Sequence, residues 1–140
     1  MSRKERVFGL LVKREKISVR KKSEALNHLL NDYDKMQDLN RKLSILLSET
    51  NSKSGVETVQ SLRSKAWYGR EMAQQKEFTS NRLEFLNKEI EAGRSGLAIN
   101  KQKERILIEK VIEERKNAAQ TAQDLEEKTL VFRNLRQPFS

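Results

Sequence analysis

His28 is the only histidine among 140 residues, and the chain contains no cysteine. A zinc site needs three or four ligands held together, and a Ser-His-Asp arrangement needs a histidine backed by a carboxylate. His28 has no companion ligand and adjoins Leu29 and Leu30, so a flanking, partly buried ring is its simpler role. Glu113-Glu114 and Glu126-Glu127 are paired carboxylates of the kind that share acid and base duty. On a polar helix such pairs are solvated and meet Lys or Arg three or four residues away. Gly93-Arg94-Ser95-Gly96 lacks the lysine and Ser/Thr of a phosphate-binding loop, and no strand precedes it. No metal, no cofactor and no catalytic activity are expected. The absence of cysteine fits a reducing compartment.

What remains is recognition. Residues 1–22 hold nine Lys/Arg, from Arg3 and Lys4 to Lys21 and Lys22, against Glu5 and Glu15. That segment therefore carries +7 of a formal +9, while the last 24 residues balance at three charges of each sign. Such a segment suits phosphate backbones, an acidic membrane surface or an acidic protein surface, and it equally serves as a solvated face. Nucleic-acid binding lacks its usual companions, namely exposed stacking aromatics and a reader motif. A membrane-surface helix needs a broader apolar face than Phe8, Leu11 and Val12 provide. Trp67-Tyr68 either packs over a helical turn or anchors a partner, since aromatics and Arg dominate interface hot spots.

Elements must position these groups, and composition narrows which. Charged residues are 35% and hydrophobic ones 36%, too polar for a thick core when a typical domain is about 45–50% apolar. Heptad helices tolerate this balance, because about two positions in seven need be apolar. The early apolar run Phe8–Val12 is too short for a signal-peptide core or a bilayer span, so a soluble, cytoplasmic chain is expected.

Apolar residues do recur at seven. Leu83, Ile90, Leu97, Val111, Ala118, Leu125, Phe132 and Phe139 share one row, interrupted only by Glu104. A companion row through Leu86, Gly93, Asn100, Leu107, Glu114, Thr121, Lys128 and Leu135 is more polar. Earlier in the chain, Val12, Val19, Leu26, Tyr33, Asn40 and Leu47 form a row beside Leu29, Met36 and Leu43, with Ala25, Leu39 and Leu46 widening it. Period-two alternation does not persist, so strands are not supported. The soft segment is Ser48–Gly55, whereas the row keeps its phase across Gly93 and Gly96. The fold expected is all-α: one coiled-coil rod with a helix over about 5–48, a turn over about 49–56 and a longer helix over about 57–136, paired antiparallel. At 1.5 Å per residue the helices run about 65 Å and about 120 Å. The longer one keeps an unpaired stripe that suits a partner.

Three stretches resemble the FliJ family of the bacterial flagellar export apparatus, with its YscO-like virulence type III secretion relatives. They are Phe8-Gly9-Leu10-Leu11-Val12-Lys13-Arg14-Glu15 with the later Ala25-Leu26, then Trp67-Tyr68 with Leu83, Leu86 and Ile90, and last Asp124–Leu130 closing in Arg133 and Arg136. The resemblance spans nearly the whole chain. It implies a non-enzymatic central stalk that inserts its paired helix ends into the hexameric export ATPase and activates it. Phe8, Leu11, Arg14, Lys16, Arg20, Phe132, Arg133 and Arg136 are then the ring contacts. Trp67, Tyr68, Leu83, Leu86 and Ile90 face the cytoplasmic part of the export-gate membrane protein or export chaperones. No small-molecule substrate is implied. Rival readings are a nucleic-acid-associated basic coiled coil and a self-associating structural coiled coil.

Overall fold

The computed structural model describes residues 2–52 and 58–136, with all their side chains except those of Asn51, Ser52 and Arg136. Two helices account for nearly all of them, α1 over Arg3–Ser52 and the longer α2 over Val59–Arg136. Ser2 caps α1, its Oγ accepting from the Glu5 N–H at 3.1 Å. Thr58 caps α2 in the same way, accepting from the Ser61 N–H at 3.2 Å, which satisfies a first-turn donor that the helix itself cannot. Helix α1 thus continues through residues 49–52, expected in the turn, and α2 starts two residues later than expected. Residues 53–56 of that turn lie outside the described residues, as do Pro138 and Phe139.

The chain divides into two compact units, one of Met1–Lys21 with Leu97–Ser140 and the other of Lys22–Gly96. In the second unit α1 and α2 meet antiparallel, Leu26 lying against Gly93 and Asn40 against Thr79. Its core is Leu26, Leu43, Met72, Thr79, Leu86 and Ile90, with Leu86 1% and Thr79 2% exposed. Tyr33, Met36, Leu47 and Leu83 are half-buried on the same rows. Ala25, Leu39 and Leu46, expected to widen the seam, are exposed. Two helices make close contact only along two rows, and flanking positions stay in solvent.

Helix α2 runs unbroken through Gly93 and Gly96. A Cβ on Gly93 would stand 3.3 Å from Leu26 Cδ1, so the missing side chain is the recess that receives Leu26.

Thr79 is a polar residue on an apolar row, and its burial is explained by the facing helix. Asn40 Nδ2 has three acceptors within reach of its two N–H groups: Thr79 Oγ1 at 2.7 Å, Ser80 Oγ at 3.0 Å and the Lys76 carbonyl at 3.2 Å. Thr79 Oγ1 in turn donates to the Lys76 carbonyl at 2.9 Å. Asn40→Ala removes this donor, and urea unfolding is expected to show a loss of about 1–2 kcal/mol.

In the first unit Glu5, Val12 and Asn100 are buried, and Phe8, Glu15, Val19, Leu97, Leu107, Val111 and Glu114 are half-buried. Two polar layers fix the pairing. Asn100 Nδ2 donates to Glu15 Oε2 at 3.0 Å and to Ser18 Oγ at 2.9 Å. Arg115 Nε donates to Glu5 Oε1 at 2.7 Å, the Glu5 side chain being 8% exposed and that of Arg115 63%. From Arg115 to Leu135 every residue of α2 is exposed.

Candidate functional site

The two units differ sharply in charge. Residues 1–21 and 97–140 hold seventeen Lys/Arg and nine Asp/Glu, whereas residues 22–96 hold twelve and eleven. The first unit therefore carries +8 and the second +1. On α1 the asymmetry is sharper still. Arg3, Lys4, Arg6, Lys13, Arg14, Lys16, Arg20 and Lys21 are all exposed. The two acids of the same stretch are turned inward, Glu5 to Arg115 and Glu15 to Asn100. The outward surface of α1 in this unit is cationic without an opposing charge of its own. Val7, Leu10 and Ile17 are the apolar residues exposed within it.

The expected ring contacts fall into distinct places. Arg14, Lys16 and Arg20 belong to this cationic surface, while Phe8 and Leu11 are half-buried beside the seam. Lys110 Nζ stands 5.8 Å from the centroid of the Phe8 ring, a cation over an aromatic face. Phe132 and Arg133 are exposed, and the Arg136 side chain lies outside the described residues. Phe132 is 22 residues beyond Lys110 on α2, about 33 Å along the helix axis. The structure thus does not bring Phe8 and Phe132 together as two sides of one paired end. No protein-family model, curated protein or solved structure matches this chain.

In the second unit, Trp67 is 59% and Tyr68 54% exposed, with ring centroids 6.4 Å apart and planes tilted by 51°. They border a groove of about 280 Å³ also lined by Leu43, Leu46 and Met72. Leu86 and Ile90, expected among the contacts to an export gate or chaperone, are instead core residues, 1% and 4% exposed. Leu86 shares its seven-step row with Met72, Thr79 and Gly93, so it faces α1 and offers nothing to an outside partner. Leu83 is half-buried beside them. Phe78 and Phe85 are exposed and escaped the sequence reading. Phe85, one residue before a seam leucine, has Arg82 Cζ 5.3 Å from its ring centroid.

His28 is exposed rather than partly buried. Among the described residues no group of three or more His, Cys, Asp or Glu could hold a metal ion. No described helix is long and apolar enough to cross a membrane.

Proposed function

We propose that this chain is a non-enzymatic stalk of a bacterial type III protein export apparatus, flagellar or virulence-associated, which binds and activates the hexameric export ATPase. One observation carries the reading most: α1 from Arg3 to Lys21 turns eight cations outward and spends both acids internally. A surface of one sign, held on a helix, fits a ring lined by acidic loops and is steered to it by the field it creates. The exposed Trp67 and Tyr68 belong to the other unit and form a separate surface for the cytoplasmic part of the export gate. Exposed stretches of α2 serve export chaperones in the same reading. The protein acts in the cytoplasm, at the base of the membrane apparatus.

The test is turnover of the purified export ATPase. One chain per hexamer is expected to raise the rate, and Arg14→Glu with Lys16→Glu and Arg20→Glu to abolish the effect. Lys88→Glu, on the second unit, is expected to leave it intact. An unaltered chain that changes neither turnover nor ring assembly overturns the proposal.

A further inference from the structure

Beyond Arg115 the two seam rows of α2 keep their seven-residue step, one of them apolar throughout and the other ending in Leu135. The row half-buried at Leu97, Glu104 and Val111 goes on as Ala118, Leu125 and Phe132. The row through Leu107 and Glu114 goes on as Thr121, Lys128 and Leu135. Leu125, Phe132 and Leu135 are 61%, 66% and 70% exposed. The phase that pairs α2 with α1 therefore persists where α1 no longer faces it. A helix with seven-residue apolar periodicity is matched most directly by another helix of the same periodicity.

Charge selects which helix. Residues 117–127 hold Asp124, Glu126 and Glu127 with no cation, and residues 128–136 hold Lys128, Arg133 and Arg136 with no anion. The segment is neutral as a whole, acidic in its first half and basic in its second. We propose that it pairs antiparallel with the same segment of a second copy of this chain. In that arrangement each acidic half lies along the partner's basic half, and the two-fold axis makes the match twice. A parallel pair would set acid against acid and base against base. It would also draw the two cationic α1 surfaces to the same level, which the antiparallel arrangement keeps apart.

This inference stands apart from the proposed stalk function. It does cover Phe132 and Arg133, so self-pairing and their contact with a ring exclude each other. The isolated chain in sedimentation reads the first, and ATPase turnover reads the second, so failure of one is distinct from failure of the other.

Sedimentation equilibrium of the full chain, from micromolar to hundreds of micromolar, is expected to show a monomer–dimer equilibrium. Asp124→Lys, Glu126→Lys and Glu127→Lys combined make both halves basic, and Lys128→Glu, Arg133→Glu and Arg136→Glu combined make both acidic. Each triple variant alone is expected to sediment as a monomer, and an equimolar mixture of the two to regain the dimer. The altered residues lie beyond Arg115, past the stretch where α1 and α2 pair, and ellipticity at 222 nm reports that the paired helices persist. A monomer at every concentration overturns the inference. So does a dimer retained by either triple variant alone, a mixture that stays monomeric, or growth into open-ended assemblies.

Discussion

Leu86→Ala is expected to remove about 2–5 kcal/mol of stability, the range for truncating a fully buried leucine. Leu86 is 1% exposed, and two facing helices have few residues with which to fill the space it leaves. Part of that cost is lost transfer energy and part is the void, because neighbouring side chains relax only partly. Thermal unfolding followed at 222 nm should show the midpoint falling by about 10 °C. The neighbouring Phe85 provides the contrast. It is larger but 51% exposed, and Phe85→Ala forfeits chiefly its contact with Arg82, about 0.5–1 kcal/mol. Equal losses at the two positions would mean that the seam does not run through Leu86.

Gly93→Leu is expected to lower stability by about 1–3 kcal/mol through the opposite fault, too much volume in a filled seam. The first added atom already meets Leu26 Cδ1 at 3.3 Å, and carbons added on that side press further against Leu26. Helix propensity works against this loss, since any residue with a side chain outperforms glycine by up to about 1 kcal/mol in a helix interior. Gly96 separates the two effects. A Cβ there would be 3.9 Å from the flexible Lys22 Nζ, so Gly96→Ala should stabilise by about 0.5–1 kcal/mol. Urea unfolding of both variants checks the pair of signs.

The helices and their seams were legible because a coiled coil writes its contacts into one short period. Val12, Leu26, Leu43 and Ile90 all lie on seven-step rows, and all are buried. Width was harder to read. Leu39 and Leu46 are as apolar as Leu43 but fall on flanking positions, where sequence alone does not show whether a third helix waits. The polar seam residues were legible as anomalies rather than as contacts. Asn40, Gly93 and Asn100 stand on seven-step rows without an apolar side chain, and each is answered by a residue on the other helix: Thr79, Leu26 and Glu15 with Ser18. Partners that far along the chain leave no local trace. The same distance hid the burial of Glu5, whose Arg115 lies 110 residues away, and with it the all-cationic outward face of α1. Leu86 and Ile90 were misplaced for a different reason. A family resemblance assigns leucines to a contact stretch without saying which of them face inward.

Chain connectivity orders these pairings in time. The bond from Asn40 to Thr79 closes 39 residues of chain, Asn100 to Ser18 closes 82, and Arg115 to Glu5 closes 110. The entropy of closing a loop rises with the logarithm of its length, about 0.6 kcal/mol for each doubling, and contacts nearer in sequence form sooner. Asn40 therefore meets its acceptors while the distant ends of both helices are still searching. A pairing slipped along the chain leaves its amide facing apolar side chains from the outset, and that pairing reopens before further layers have closed over it. An asparagine at this layer penalises wrong registers at the loop length where reopening them costs least.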